Sequence, residues 1–322
     1  MKHKPYRLTP YCKSAIWGGD SLCRLYGKKT EVSPLAETWE LSVRENENCT
    51  VSDGETLASL ISRLGNAAVS PDYDGSYFPL LIKYIDANAA LSIQVHPRDE
   101  DLPEGEYGKT EMWVILRAAP DAFLYYGLMP GVTSDDYRRA VEAGDTLSVL
   151  HPVTVKAGDV FFIPAGMPHA IGAGIILAEI QQNCDTTYRV YDYDRVGADG
   201  KKRPLHTKEA LAVIRPFTAD AVRAEQFCTA GEQTSGELLS DSMYFRTERF
   251  DTRKGEFAIA ARESFLAILC VEGEGVIRFG DEILVARAGD SFFLPANSEV
   301  CRLSGNAVFL TAGLPGSAAG IT

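Results

Sequence analysis

Short apolar runs, separated by turn-forming residues, recur along most of the chain. The first two-thirds contain LSIQVHP, EMWVIL, DAFLYYGL, DVFFIP, GIILAEIQ and YRVYDYD, and the last third contains SFLAILCVEG, GVIRFG and DSFFLP. These runs are rich in Val, Ile, Phe and Tyr, and Gly, Pro, Asn or Asp lie between them, which is typical of antiparallel sandwiches and barrels. The pattern therefore predicts a mainly β protein.

A few segments have helical rather than strand patterning. TLASLISRLG (56–65) ends at Gly65, and TSDDYRRAVEAG (133–144) begins with a Thr/Ser cap and ends at Gly144. A third segment begins at Thr207 and has a proline beyond its end. Caps and C-terminal glycines of this kind mark helix ends. We expect these helices to be insertions and a connector on a β framework.

The length of the chain and one polar segment predict two domains. At 322 residues the chain exceeds the usual size of a single core. Strand patterning is lost around 218–240, where the sequence is polar. We therefore expect a first domain over 1–230 with the helical insertions and a second domain over 241–322.

One short element occurs twice, 131 residues apart. AGDVFFIPAGMPH (157–169) and AGDSFFLPANSEV (288–300) each contain a Gly-Asp turn, an apolar strand and a proline bend, but His169 of the first copy is Val300 in the second. Two jelly rolls of this type resemble the cupin superfamily, in which a GDxxxxPxxxxH element supplies one metal ligand. Because 241–322 contains no histidine, we predict a C-terminal cupin-like domain without metal ligands.

Composition limits the class of partner and the compartment. The formal net charge of −12 and the pI near 5.0 argue against a nucleic-acid-binding face, although a few local cations suffice for one small phosphorylated ligand. Seven cysteines without regular spacing suit free thiols in a reducing compartment. The N-terminus lacks a signal-peptide core, and no run is long and apolar enough to span a membrane. We expect a soluble cytoplasmic monomer or homodimer with no nucleic-acid or membrane partner.

Four residues are candidate metal ligands. Gln94 and His96 lie two apart in LSIQVHP, so their side chains leave the same face of a strand. Glu111 opens the next predicted strand, and His169 follows the proline bend. Two imidazoles, a carboxylate and an amide oxygen suit a divalent ion such as zinc, and manganese, iron or cobalt would also fit. Spacing alone leaves open the alternative that these residues hydrogen-bond inside the barrel and that Glu111 is a solvated strand end.

A series of longer motifs resembles one enzyme family. The motifs, in order along residues 1 to about 217, are IWGGDSL (16–22), FPLLIKYIDANAALSIQVHP (78–97), GKTE (108–111), FFIPAGMPHAIGAGIILAEIQQ (161–182) and DTTYRVYDYDR (185–195). They resemble type I mannose-6-phosphate isomerases in their shorter bacterial form. The resemblance implies a zinc enzyme that interconverts mannose 6-phosphate and fructose 6-phosphate. It also implies that Gln94, His96, Glu111 and His169 are the metal ligands and that Arg189 is an active-site arginine.

The implied reaction needs further groups besides the metal. Aldose–ketose isomerisation moves a proton between C1 and C2 through an enediol, and Glu179 is a candidate to transfer it or to hold a sugar hydroxyl; alternatively, Glu179 pairs with a cation at the barrel mouth. Lys109 and Arg189 are candidates for the phosphate or for charge at the reacting end. We expect Lys83 to extend its amine to the surface, and His151 and His206 to lie outside the site.

Two other classes of function fit part of this pattern. One is a different cupin enzyme such as an iron dioxygenase, because the ligand set does not select the metal. Lys109 and Arg189 argue against it, since they suit an anionic sugar. The other is a non-catalytic sugar-phosphate sensor, which predicts the loss of ligands or of the arginine, yet all of these residues are present.

Overall fold

A computed structural model describes residues 3–197, 200–225, 235–315, 317 and 319–321. Two of the predicted helices are present with the expected caps, because Thr56 accepts a hydrogen bond from the Ser59 N–H and Thr133 forms a capping box with Asp136. The helices are α1 Ser21–Tyr26, α2 Leu57–Leu64, α3 Ser134–Glu142, α4 Thr207–Val213 and α5 Ala219–Glu225.

Strands form most of the remaining regular structure, as the apolar runs predict. In the first part of the chain they are β1 Tyr6–Leu8, β2 Tyr11–Gly19, β3 Leu35–Leu41, β4 Val43–Arg44, β5 Glu47–Asn48, β6 Leu80–Ala87, β7 Ile93–Val95, β8 Glu111–Ala118, β9 Phe123–Leu128, β10 Leu150–Thr154, β11 Val160–Ile163, β12 His169–Ile171, β13 Ile175–Gln182 and β14 Tyr188–Tyr191. In the second part they are β15 Glu237–Asp241, β16 Arg246–Asp251, β17 Phe257–Ile259, β18 Leu266–Phe279, β19 Glu282–Arg287, β20 Ser291–Leu294, β21 Cys301–Gly313 and β22 Gly320–Ile321.

Two antiparallel sheets build the first barrel. One has the order β10-β9-β12-β7-β14, and the other has the order β11-β8-β13-β6-β3-β2. Every strand pair in them is antiparallel, which gives the expected jelly roll. Apolar residues of the two sheets pack together and continue into the contact with the second barrel.

The second barrel contains the other copy of the repeated element. Its nine-stranded sheet includes β15 to β22, and β20 occupies the same place in the repeat as β11 does in the first barrel. Gly158 and Gly289 have φ angles of +92° and +102°, which explains why both turns require glycine. The repeat is therefore structural in both barrels.

The N-terminal strand crosses from one half of the chain to the other. β1 pairs with β20 in antiparallel register, with Arg7 opposite Phe292, so residues 6–8 complete the second barrel's sheet. β15 begins inside the polar segment around 218–240, in which the sequence predicts the junction between 1–230 and 241–322; residues 226–234 of that segment lie outside the described residues. The domain limits remain predictions.

The cysteines and the helices bear on the compartment predicted for the chain. Six cysteines in the described part of the chain are free thiols; Cys228 lies outside it. Across the same described ranges, none of the helices combines the length and the apolar character needed to cross a bilayer. The cytoplasmic location and the monomeric or dimeric state remain predictions.

Candidate active site

The inner face of the six-stranded sheet carries a row of polar and aromatic side chains. The strand registers place Trp39, Lys83, Glu179 and Trp113 side by side across β3, β6, β13 and β8. Glu111 lies two residues before Trp113 and therefore on the same face. Long-range pairing thus brings four distant segments into one row.

The five-stranded sheet supplies the histidines opposite this row. Gln94 of β7 pairs directly with His169 of β12, and His96 follows β7. The ligand atoms of His96, Glu111 and His169 all lie within 4.8 Å of one another, and the three side chains are buried. Burial of Glu111 excludes the alternative of a solvated strand end.

Hydrogen bonds fix which ring nitrogens face the centre of this cluster. His96 Nδ1 donates to the Thr186 carbonyl at 2.8 Å, and His169 Nδ1 donates to the Met167 carbonyl at 2.8 Å. Both Nε2 atoms therefore present lone pairs to Glu111, at 3.7 Å from His96 and 3.3 Å from His169. The side-chain nitrogen of Gln94 donates to His169 Nε2 at 3.3 Å.

One ring nitrogen of the cluster lacks a partner despite deep burial. His96 Nε2 has no hydrogen bond within the described residues, and Glu111 Oε1 has only the His169 ring nitrogen nearby, at 3.3 Å, while Glu111 Oε2 pairs with Lys109 at 2.8 Å. Unpaired buried groups of this kind are costly unless an ion or water satisfies them. Two imidazole nitrogens and a carboxylate aimed at one point fit a divalent metal ion that prefers mixed nitrogen and oxygen ligands.

A second cluster of charges adjoins the histidines. Lys109 Nζ lies 2.8 Å from Glu111 and 3.6 Å from Glu179. Lys83 Nζ lies 3.6 Å from the same oxygen of Glu179 and 3.3 Å from Glu37. The other oxygen of Glu179 accepts the Trp113 indole N–H at 3.0 Å. Glu179 is thus held between two ammonium groups inside the barrel.

These neighbours and burial change the pKa values of the site. Burial, together with the Glu179 carboxylate, raises the pKa of Glu111 to about 7. Burial lowers the pKa of His169 to about 4 and that of His96 well below its usual value, so both rings are neutral near pH 7. Burial opposes the charge of Lys109, but the Glu111 and Glu179 carboxylates outweigh it and raise the Lys109 pKa. The lysine therefore remains a cation.

A guanidinium group forms one wall of the cleft over this site. Arg189 of β14 lies opposite Gln94 and donates to the Pro204 carbonyl at 2.9 Å, while its Nε has no hydrogen bond among the described residues. Arg203 lines the same cleft and pairs with the buried Asp192, which Arg195 also contacts. Three guanidinium groups around one carboxylate leave an excess of positive charge.

A cavity larger than this cleft lies elsewhere. It has a volume of about 580 Å³ and lies between the two barrels, where Arg249 and Arg253 are paired with acidic partners. The candidate metal ligands do not line it. We therefore assign the chemistry to the smaller cleft at Gln94, Lys109, Glu179 and Arg189.

Comparisons with known proteins agree with this geometry. The family model for the catalytic domain of type I phosphomannose isomerase matches residues 6–115, and the model for the mannose-6-phosphate isomerase cupin domain matches residues 235–312. Mannose-6-phosphate isomerase ManA of Bacillus subtilis is 35% identical over 315 residues, which cover 95% of this chain and 98% of that protein. The chain belongs to the type I phosphomannose isomerase family.

Other members of the family cover nearly the whole chain as well. Mannose-6-phosphate isomerase of Streptococcus mutans is 33% identical over 302 residues, covering 91% of this chain and 92% of its own length. The crystal structure of mannose 6-phosphate isomerase from Bacillus subtilis has a TM-score of 0.86 and 31% identity, with 96% and 99% of the two chains covered. The predicted family and the two-cupin, mainly β fold are confirmed.

The structure brings the residues named from sequence together, with one correction. Gln94, His96, Glu111, His169, Lys109, Glu179 and Arg189 all lie in or beside one cleft; their individual roles stay predictions. The expectation for Lys83 is wrong: its side chain is only 7% exposed and its amine points to Glu37 and Glu179. Glu37, Arg203 and Asp192 were missed. A charged residue inside an otherwise apolar strand was the available signal for Lys83.

Proposed function

We propose that this isomerase-family member interconverts mannose 6-phosphate and fructose 6-phosphate through an enediol, with zinc as its metal. The observation that carries the proposal is the convergence of His96, Glu111 and His169 beside the Lys109–Glu179 pair. The names of the relatives from Bacillus subtilis and Streptococcus mutans support the same substrate.

The proposed ligands are His96, Glu111 and His169, with Gln94 as a fourth once its side-chain amide is reversed, because its nitrogen is the atom that faces His169 here. Two neutral imidazoles, each held by an Nδ1 hydrogen bond to a backbone carbonyl, and one carboxylate form a set that zinc binds readily. When bound, the metal would polarise the sugar carbonyl and stabilise negative charge on the enediol oxygen.

Glu179 is the proposed proton-transfer group. Its Oε1 atom has no hydrogen bond in the described chain, whereas Oε2 is occupied by the Trp113 indole. Glu179 takes the C2 proton of the aldose and returns it to C1, while the proton of the C2 hydroxyl passes through water to the C1 oxygen, so that the C1 carbonyl becomes a hydroxyl, the C2 hydroxyl becomes the ketone and the sugar keeps the same number of protons. Lys109, held as an ammonium group, donates hydrogen bonds to the oxygen on which charge develops.

The phosphate is proposed to bind at the arginine end of the cleft. The unpaired Nε of Arg189 and the neighbouring Arg203 provide planar donors suited to phosphate oxygens. Asp192 neutralises part of the charge of Arg195 and Arg203 and fixes the Arg203 side chain at 2.8 and 2.5 Å. The reacting carbons then lie toward Lys109 and the metal ligands.

A coupled assay for fructose 6-phosphate tests the proposal on metal-stripped protein. We expect mannose 6-phosphate turnover to be absent without metal and to return with zinc. His169→Ala should not recover, because one of the ligand nitrogens is gone. His151→Ala is the matched control, since this histidine lies in β10 away from the cluster, and it should behave as wild type.

The outcomes separate the metal site from the reaction. If the wild type binds zinc at one site but forms no fructose 6-phosphate, the ligand assignment survives and the isomerase proposal is wrong. If manganese, iron or cobalt restores turnover and zinc does not, the reaction stands and the choice of metal is wrong.

A further inference from the structure

A tyrosine of the second barrel reaches toward the metal-binding segments of the first. The hydroxyl of Tyr244, in the turn between β15 and β16, donates a hydrogen bond of 3.1 Å to Asp99 Oδ2. Asp99 lies three residues after the proposed ligand His96. The contact joins residues 145 positions apart and crosses between the two barrels.

Asp99 also contacts the segment that leads through Lys109 into β8, which begins at Glu111. Its Oδ1 atom accepts the Gly108 N–H at 2.7 Å and the Gln182 side-chain amide at 3.2 Å. Gln182 in turn accepts the Thr110 N–H at 2.8 Å and donates its own N–H to the Thr110 carbonyl at 3.1 Å. The backbone on both sides of Lys109 is thereby fixed.

The segment after His96 packs tightly against the segment before Glu111. A Cβ atom at Gly108 would lie 2.7 Å from backbone atoms of Pro97, Arg98 and Asp99, so glycine is required at this position. The Lys109 N–H also donates to the Pro97 carbonyl at 3.0 Å. Movement of the segment after His96 is therefore transmitted directly to the segment before Glu111.

We propose that Tyr244 is a positioning residue, through which the second barrel fixes the relative placement of His96 and Glu111 by way of Asp99. The inference rests on the proposed metal site. The second barrel contains no histidine after residue 240. Through Tyr244 it nevertheless contributes to the reaction, because it holds the segments around His96 and Glu111 in place. Groups that orient ligands are as important for affinity as the ligands themselves.

The test measures metal binding directly and does not depend on turnover. Zinc affinity is determined by competition with a chromophoric chelator, and the visible absorption spectrum of the cobalt-loaded protein reports ligand geometry. We expect Tyr244→Phe to weaken zinc binding about three- to tenfold, the effect of one hydrogen bond. Asp99→Ala should weaken it about ten- to a hundredfold, because it also releases Gly108 and Gln182.

Tyr84→Phe is the matched control. The Tyr84 hydroxyl also connects the barrels, by donating to the Cys270 carbonyl at 3.4 Å, and within the described ranges it has no hydrogen bond to the segments around His96 and Glu111. We expect it to lower thermal stability slightly and to leave zinc affinity and the cobalt spectrum unchanged. A merely structural contact of Tyr244 would behave in the same way.

A double-mutant cycle decides the route. If Tyr244 acts through Asp99, adding Tyr244→Phe to Asp99→Ala has no further effect on zinc affinity or on kcat. Additive losses, or a Tyr244→Phe variant with wild-type affinity and spectrum, would overturn the proposal. Failure of wild-type protein to isomerise mannose 6-phosphate would instead contradict the proposed function and leave these binding measurements valid.

Discussion

The two barrels share a turn, a strand and a bend, yet their interiors have opposite chemistry. Between the sheets of the first barrel lie imidazoles, carboxylates and ammonium groups around Glu111. The core of the second barrel is apolar and includes Phe250, Ile268, Leu303 and Phe309. Buried apolar side chains stabilise a fold, whereas buried charges cost free energy unless they are paired or bound to an ion. The same scaffold thus serves binding in one copy and stability in the other.

The buried charged residues of the second barrel are paired differently from those of the first. Arg246 lies between Asp241 at 2.6 Å and Glu248 at 2.8 Å, and Glu248 also accepts the Gly320 N–H at 3.0 Å. Ion pairs in this cluster join β15 to β16, and a hydrogen bond adds β22. In the first barrel, Glu111 pairs with Lys109 through one oxygen, while the other oxygen faces His169 Nε2 and His96 Nε2 has no hydrogen bond within the described residues. Incomplete pairing is the feature that separates a ligand site from a structural ion pair.

The largest expected effect comes from removing a proposed ligand of the first barrel. His169→Ala deletes the Nε2 atom nearest Glu111 and should lower kcat/KM at least about 1,000-fold, because several kcal/mol of charge stabilisation depend on the metal. Steady-state kinetics and metal analysis measure the loss. If the variant keeps one zinc per chain and a near-normal kcat/KM, the polar interior of the first barrel is not the metal site.

Removing the central cation is expected to separate chemistry from metal binding. Lys109→Met leaves Glu111 and Glu179 without the ammonium group between them, and kcat should fall about 100- to 1,000-fold, the range for losing one hydrogen-bond donor to a developing negative charge. The cobalt spectrum should still indicate one bound metal. Lys254→Met is the control, since that side chain is 77% exposed in the second barrel. An equal fall of kcat in both variants would contradict the assignment of the chemistry to the first barrel.

In the second barrel, a core truncation should affect stability. Phe292 is fully buried in the apolar core, and Phe292→Ala should lower the free energy of unfolding by about 3–5 kcal/mol through lost burial and the cavity left behind. Urea unfolding followed by fluorescence measures this change. A cost below about 1 kcal/mol would mean that the apolar interior is not what stabilises this half.

Recognition of the phosphate should depend on the arginine end of the first barrel. Arg189→Ala is expected to raise KM for mannose 6-phosphate about tenfold to a hundredfold, because a charge-assisted pair of hydrogen bonds is lost. Whatever turnover unphosphorylated mannose shows should change far less. Equal losses for the two sugars would place Arg189 at the reacting end of the cleft instead.

The smallest effect is expected from restoring the missing histidine. Val300→His recreates the repeat's sequence in the second barrel, but Val300 is 46% exposed and its barrel core is apolar. One ligand without partners does not form a zinc site, so metal content should remain one per chain. A second bound zinc would show that the two interiors differ less than their packing indicates.

Local sequence predicted the parts of the site that depend on short spacings. Gln94 and His96 share a strand face because they are two apart, and His169 follows a turn that requires glycine at 158. The caps of α2 and α3 were likewise readable, since capping uses residues within one turn. The resemblance of the longer motifs predicted the family, which the relatives confirm.

The sequence by itself determined the strand-and-turn framework, the repeated element and the types of residue available as ligands, because each depends on neighbours within a few positions. The tertiary structure alone decided that Lys83 turns inward to Glu37 and Glu179, that β1 completes the second barrel, and that Tyr244 reaches Asp99. These contacts are set by sheet register and barrel packing, which join residues tens to hundreds of positions apart and leave no local pattern in the chain.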